Sequence, residues 1–406
     1  YFPEADLKTT EKMKQMIEFQ EAYDIVTSTE MRTGTEMIPW TSSLNRILAS
    51  DVVSDMDLPP FDKAAVDGFA CRKEDLDNEL EILETIPAGI WPSRKIGRNQ
   101  CSRIMTGAPV PEGADCVLMV EDTIITPSGK VRLTIPFRKE NMAFRGEDAG
   151  KGDVLLGSGR LISPQDIAVM ASAGQVNVVV SKKVRIGVAS SGSELVEPEK
   201  VPAPSQIRNS NSSQLMAQIE RTGAEGKYYG IAPDDEEQTF EIVERAIAEN
   251  DIMIITGGVS MGDFDFVPSV LDRAGVKILF SRVAVQPGKP TTFGLHPDTA
   301  VFGLPGNPVS SFLQFELLVR PLVYKMMGHD WKPLEFSMPM RERFERKFAD
   351  RLAFIPVRIT GGGAVIPVEY HGSAHISALP GADGIIAMPV GKNILERGEI
   401  VSVRPI

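Results

Sequence analysis

The residues in this 406-residue chain that could do chemistry fall in glycine-bearing segments and in carboxylates beside them. The segments are Ser190-Ser191-Gly192-Ser193-Glu194, Thr256-Gly257-Gly258-Val259-Ser260-Met261-Gly262-Asp263, and Gly303-Leu304-Pro305-Gly306-Asn307-Pro308. Glycines such as Gly257, Gly258 and Gly306 let backbone N–H groups come close to an anion. One such segment alone reads as a tight turn. Three that open on one edge of a sheet read as an anion site. None continues into the Gly-Lys-Ser/Thr of a Walker motif, so an ordinary P-loop nucleotidase is not expected.

Glu194, Asp234, Asp263 and Asp265 crowd the same segments. Carboxylates would repel a phosphate unless a cation stood between them, and Mg²⁺ takes oxygen from one or two carboxylates plus phosphates. Asp235 and Glu236 read as the cap and first turn of a helix. Lys289, in Pro287-Gly288-Lys289-Pro290, is either a positioned cation or a solvated surface lysine. Three further polar clusters are Pro59–Gly68, with Asp62 and Asp67, Arg103–Pro111, with Thr106, and Arg145-Gly146-Glu147-Asp148. Each alone is a turn signal, and spacing does not show whether folding joins them. His371 and His375 are four apart in a Gly-rich β context and do not predict a metal pair. Nothing resembles Ser–His–Asp or Cys–His catalysis.

The elements that must position these residues follow from hydrophobic period. A helix is expected over 7–31, and a turn leading into a strand over 44–53. Short strands at 81–86, 102–105, 115–120 and 130–135 predict a small β-rich module. A helix over 162–173 opens with Ser163-Pro164. From 184 to 328 the pattern becomes strand (184–189), helix (212–221), strand (227–231), helix (235–249), strand (251–256), helix (267–274), strand (276–285), strand (300–302) and a long helix (309–327). That alternation predicts a parallel, doubly wound sheet, whose ligands bind beyond the carboxyl ends of the strands. Strands at 354–360, 364–369, 385–388 and 400–404 predict a small C-terminal barrel or sandwich.

Composition narrows the function classes. The formal net charge is −12 with no basic stretch, which excludes nucleic acid and anionic membrane surfaces as partners. Three scattered cysteines, Cys71, Cys101 and Cys116, predict neither a disulfide framework nor a zinc site, and fit a reducing compartment. No apolar run approaches the roughly 20 residues of a membrane span, and the polar N-terminus has no signal-peptide core. A cytoplasmic enzyme is the expectation.

Together the motifs resemble one family. Leu58–Ala70 is similar to the MoeA signature PPFDNSAMDGYA. Arg103–Ala114 (RIMTGAPVPEGA), Arg145–Asp148 (RGED), Ile254–Gly262 (IITGGVSMG), Pro287–Pro290 (PGKP) and Phe302–Ser311 (FGLPGNPVSS) follow in the order of the molybdopterin molybdenumtransferase (MoeA/gephyrin E-domain) family, over nearly the whole chain. The resemblance implies a multidomain α/β and β protein. Its expected parts are an elongated N-terminal domain in two segments (1–53 and 141–180), an inserted β-rich domain (54–140), a MogA-like doubly wound α/β domain that binds molybdopterin (181–328) and a C-terminal β-barrel (329–406). It implies insertion of molybdenum from molybdate into adenylylated molybdopterin with release of AMP, assisted by Mg²⁺ or a similar divalent cation, in a homodimer. Contact with the molybdopterin adenylyltransferase is a further expectation. Carried over by motif, the catalytic positions are Asp62, Thr106, Asp148 and Asp265, and the metal positions Glu194, Asp234 and Asp265. Binding of the phosphorylated pterin falls to Gly257, Gly258, Ser260, Gly262, Lys289, Pro305, Gly306, Asn307 and Ser310. The chain departs from the pattern at Lys63-Ala64 for Asn-Ser, at Ser193 for Asp, and at Gln286, where some members carry Lys. The other readings are a molybdopterin adenylyltransferase, which usually needs only the α/β domain, and a non-enzymatic gephyrin-like dimeric scaffold.

Overall fold

A computed structural model describes residues 16–258, 267–369 and 372–406 of the chain. Ser260, Gly262, Asp263, Asp265 and His371 lie outside the described residues. The chain divides into two compact units, one of Met37–Leu44 and Leu48–Val179, the other of the remainder.

The first unit is built on a four-stranded sheet in the order Glu81–Ile86, Gln100–Ile104, Gly68–Cys71, Cys116–Met119. The strand at Gly68–Cys71, not expected from the sequence, is central and fully buried. Its four residues are too few to show a period. Its glycine is required by packing, because a Cβ at Gly68 would lie 1.9 Å from the Leu118 carbonyl oxygen. Cys71 is in register with Cys101 on one side and Cys116 on the other, and all three thiols are free and buried. Burial pushes the Cys101 thiol up to about 12, so these sulfurs act as small apolar core groups. The helix Pro164–Ser172 carries the expected Pro at its start, with Ser163 and Asp166 forming a capping box.

The second unit holds the α/β sheet. Six strands lie in the order Glu225–Ala232, Arg185–Ser191, Ile252–Thr256, Thr299–Leu304, Thr292–His296, Lys277–Phe280. The first three pairings are parallel and the last two antiparallel. Only Thr292–His296 therefore runs against the others. The sequence had suggested one strand over 276–285. Instead, Lys277–Phe280 ends early, and Val285–Gln286 pairs with Leu352–Ile359 in the C-terminal sheet. Thr292–His296 then returns to the α/β sheet, because Pro287, Gly288 and Pro290 break the run between them. Ile252–Thr256 is buried at all five positions, as expected of a strand covered on both faces. Phe280, Phe293 and Phe302 pack in a tilted series with centroids 5.7 and 4.8 Å apart. Each such buried ring contributes about 1.5–3 kcal/mol.

The expected helix over 309–327 is a continuous run with a π-helical turn, Phe315–Val319, between Pro308–Gln314 and Arg320–Met326. Glu316, 1% exposed, lies in that turn and binds Gln218 (2.7 Å), Arg221 (2.5 Å) and Arg320 (2.7 Å). Near the N-terminus, residues 7–15 of the expected helix lie outside the described residues, and the described helix is Phe19–Ser28, ending three residues before the expected 31. The hydroxyls of Thr27, Ser28 and Thr29 bond back to the carbonyls of Tyr23 and Ile25, which competes with helix propagation. The C-terminal sheet runs Val285–Gln286, Leu352–Ile359, Gly384–Met388, Ile400–Pro405, Phe336–Pro339 around a core that includes Val357, Ile386, Met388 and Val403. Among the described residues no helix is long and apolar enough to cross a membrane.

Candidate functional site

The parallel pairings place four strand ends together. Ser190 is level with Thr256, Thr256 with Leu304, and Ser191 with Ala232. The segments after those strands, 192–194, 233–235, 257–258 and 305–307, therefore open on one edge of the sheet. Thr292 pairs with Gly303 at the same edge, because its strand runs the other way. That brings the Pro287–Pro290 loop there too. A lysine far from the glycine segments in sequence thus joins them in space.

The backbone at this edge is held for close approach. Gly257 and Gly258 have φ of 83° and 62°, left-handed values that disfavour other residues. A Cβ on Gly257 would stand 2.3 Å from the Ser191 carbonyl oxygen. One on Gly258 would stand 2.9 Å from a Val267 methyl. Gly306 packs on this turn: its Cβ would be 3.5 Å from the Gly257 Cα. The Gly306 carbonyl accepts from Asn211 Nδ2 at 2.7 Å, and Asn307 Nδ2 donates to Ser373 Oγ at 2.7 Å. Pro305 and Ser310 are buried beneath the turn, whereas Gly306 and Asn307 are exposed.

Beneath the strand ends lies a polar network that sequence reasoning missed. Ser190 Oγ contacts Ser212 Oγ (2.7 Å), Thr256 Oγ1 (3.0 Å) and Asn209 Oδ1 (3.1 Å). Asn209 Nδ2 donates to Tyr228 Oη at 2.9 Å, and Tyr228 donates to Glu197 at 3.0 Å. Burial first, then the bond to Glu197, pushes the Tyr228 hydroxyl up to about 12, so it stays a neutral donor. The only signal for this network is Asn209 two residues before Asn211-Ser212, an N-cap pattern whose side chain accepts from Ser212 N–H.

The carboxylates separate by role. Asp235 caps the helix Glu236–Glu249 by accepting from Gln238 N–H at 2.8 Å, and Glu236 and Glu237 fill its first turn. Asp234 is not part of the cap. Its Oδ2 accepts from Ser193 N–H at 3.1 Å, and Ser193 Oγ accepts from Asp234 N–H at 3.1 Å. Ser193, where the resembling family carries Asp, thus orients Asp234 instead of adding a charge. Glu194 and Asp234 are exposed, and neither makes an ion pair among the described residues. Two oxygen donors without an ion-pair partner, on the edge that carries the Gly257-Gly258 turn, suit a hard divalent cation that keeps waters and phosphate oxygens as its other ligands. Among the described residues no group of three or more His, Cys, Asp or Glu forms a complete metal cage. Lys289 is exposed, and its carbonyl accepts from Val283 and Thr291 N–H at 2.9 Å each. Gln286 Oε1, beside this loop, is buried without a partner.

In the other unit, folding joins the three remaining clusters. Asp62 Oδ1 accepts from Arg145 N–H at 2.8 Å. Gly107 N–H donates to the Ala64 carbonyl (2.8 Å), Gly146 to Pro59 (2.9 Å) and Asp148 to Leu58 (2.9 Å). Thr106 donates both its N–H and its hydroxyl to Asp67 Oδ1, each at 2.7 Å. The backbone bond first, then the hydroxyl, hold the Asp67 carboxyl below its ordinary value. Asp57, which sequence reasoning passed over, accepts from Lys151 N–H (2.9 Å) and Arg145 Nε (2.6 Å), and these contacts lower its pKa in that order. Asp62, Thr106 and Asp148 are all exposed.

Comparison with known proteins agrees with this arrangement along the chain. Residues 17–174 match the MoeA N-terminal region (domain I and II), 187–325 a probable molybdopterin binding domain, and 339–406 the MoeA C-terminal region (domain IV). A molybdopterin molybdenumtransferase of Staphylococcus epidermidis is 37% identical over 376 residues, covering 89% of this chain and 88% of that protein. One from Staphylococcus aureus is 36% identical over 374 residues, with the same coverages. A crystal structure of the molybdopterin biosynthesis MoeA protein from Pyrococcus horikoshii superposes with a TM-score of 0.83 at 30% identity, over 97% of this chain and 100% of that one.

Proposed function

The chain belongs to the MoeA family of molybdopterin molybdenumtransferases, and from that premise we propose that it inserts molybdenum from molybdate into adenylylated molybdopterin and releases AMP. The observation that carries the reading is the shared carboxyl edge, where the Gly257-Gly258 turn, Gly306, Lys289, Glu194 and Asp234 meet. Relatives named for the transferase match 89% of this chain, so neither the adenylyltransferase nor the scaffold reading is favoured.

In this reading the phosphates rest, where no side chain intervenes, on backbone N–H groups of the Gly257-Gly258 and Gly306 turns other than the N–H of Gly257 itself, which donates to the Leu304 carbonyl at 3.2 Å. Lys289 adds a point charge for a phosphate oxygen. Glu194, Asp234 and, from its position in the sequence, Asp265 would hold Mg²⁺ or a similar cation, which when bound neutralises phosphate charge and polarises the bond to the leaving nucleotide. The family resemblance also assigns Ser260 and Gly262 to phosphate binding. Asp62, aimed by the Arg145 N–H, serves the molybdate or the attacking oxygen. Thr106 is held by Asp67, and Asp148 ends the Arg145–Asp148 turn whose first N–H binds Asp62. The division into 1–53 with 141–180, 54–140, 181–328 and 329–406 is part of the proposal. So are a homodimer, contact with the molybdopterin adenylyltransferase and a cytoplasmic location.

The test is incubation of the purified chain with adenylylated molybdopterin and molybdate, following AMP. Molybdate-dependent AMP release supports the reading, and none, from a folded protein, overturns it.

A further inference from the structure

The Met37–Leu44 and Leu48–Val179 unit contains a cavity of about 560 Å³, lined among others by Phe61, Asp62, Trp91, Arg94, Lys95 and Arg145. That volume is within the range of small-molecule sites. It also has an unusual wall. Trp91 is 70% exposed, although tryptophan is usually largely buried. Its ring is not loose, because Phe61 packs against it at 84° with centroids 5.7 Å apart.

The segment carrying Trp91 is pinned. Glu84 accepts from Ser93 N–H (3.1 Å), Ser93 Oγ (2.6 Å) and Arg94 N–H (2.9 Å). Burial acts to raise the Glu84 pKa, yet these hydrogen bonds hold it below its ordinary value, so the tether is charged at neutral pH. The cavity's cations differ in commitment. Lys95 pairs with Glu112, and Arg145 with Asp57. The Arg94 guanidinium has no ion-pair partner among the described residues. A fixed, open indole and an uncommitted guanidinium therefore share a cavity with Asp62.

We propose that this cavity binds a planar heteroaromatic ring bearing an anion, with the ring stacked on Trp91 and the anion on Arg94. Indole is the strongest aromatic platform for such rings. Guanidinium forks match phosphate and carboxylate oxygens. The inference rests on the reading of Asp62 as part of the reaction site, and it makes Trp91 a recognition residue for the substrate. Two parts of adenylylated molybdopterin have this chemistry, the adenylate and the pterin with its phosphate.

The experiment titrates the full chain with AMP and, separately, with pterin-6-carboxylate, by calorimetry and by tryptophan fluorescence. Ribose 5-phosphate, an anion without a ring, is the control. At least one ring ligand binds and quenches the Trp91 emission, and ribose 5-phosphate does not bind comparably. Trp91→Ala weakens that ligand roughly tenfold to a hundredfold, Trp91→Phe restores part of the loss, and Arg94→Gln weakens binding and flattens its salt dependence. The ligand that responds identifies which half of the substrate the cavity takes. All three variants change exposed side chains, and circular dichroism checks their folding. Failure of both ring ligands to bind, or equal binding by Trp91→Ala, overturns the inference. The AMP-release assay separates this from the functional reading: turnover by the parent, with Trp91→Ala unaffected, removes the cavity but keeps the enzyme. No turnover by the parent, with Trp91-dependent binding intact, removes the enzyme but keeps the cavity.

Discussion

Substituting alanine at Gly257 separates a turn that merely reverses the chain from one that presents its backbone to a ligand. The left-handed φ of 83° costs an L-residue about 1–2 kcal/mol. The added Cβ would stand 2.3 Å from the Ser191 carbonyl oxygen and 3.3 Å from its carbon. The oxygen contact is roughly 1 Å short of ordinary van der Waals separation. Ser191 is backbone at the end of a central strand, so no rotamer change relieves the overlap and the two turns must part. The summed local cost is roughly 3 kcal/mol. Displacing positioning groups by about 1 Å costs a reaction about a hundredfold in rate. Gly306→Ala is the matched comparison. Its Cβ would meet the Gly257 Cα at 3.5 Å, an ordinary contact, and its φ is not left-handed. Its stability should stay within about 0.5 kcal/mol of the parent, while its added methyl narrows the space proposed for the phosphate. Thermal unfolding and AMP release on the two variants decide the matter. Gly257→Ala lowers both the unfolding midpoint and the rate, and Gly306→Ala lowers the rate alone. Parent-like AMP release from both variants would refute the argument that these turns cradle a phosphate.

Other outcomes follow from the same contacts. AMP release depends on a divalent cation, and Glu194→Gln and Asp234→Asn each raise the Mg²⁺ concentration required. Full release in excess chelator sinks that assignment. Thr106→Val deletes the hydroxyl bond to Asp67 (2.7 Å) and moves the Asp67 pKa up toward its ordinary value, read by carbon NMR. The folded-state value is depressed, so this contact stabilises fully above the ordinary carboxylate value of about 4 and is lost as pH falls through the depressed one. An unmoved Asp67 titration, or acid unfolding equally steep in the variant, contradicts it. Glu316→Ala leaves Arg320 without its carboxylate partner in a largely buried setting and costs about 3–5 kcal/mol. Denaturant unfolding monitored at Trp331 measures this, and a loss under 1 kcal/mol shows that the network contributes little.

Much of the molecule was legible from local chemistry. Apolar runs such as Ile252–Thr256 and the Ser163 cap before Pro164 each depend on neighbours within a few residues. So do the glycine turns, because a left-handed φ is a property of one residue. The motif order alone indicated the family. What the sequence left open needed distance. Whether the clusters at 59–68, 103–111 and 145–148 meet depended on pairings such as Arg145 N–H to Asp62 across 83 positions. The reversal of Thr292–His296, which carries the Lys289 loop to the glycine edge, arises because Val285–Gln286 leaves for another sheet. No period within ten residues encodes that exchange. Ser193 makes the same point at one position. Read alone it is a lost carboxylate, and only the fold, by setting it against Asp234, makes it the group that aims one. Sequence settles what each residue can do, and long-range register settles which residues do it together.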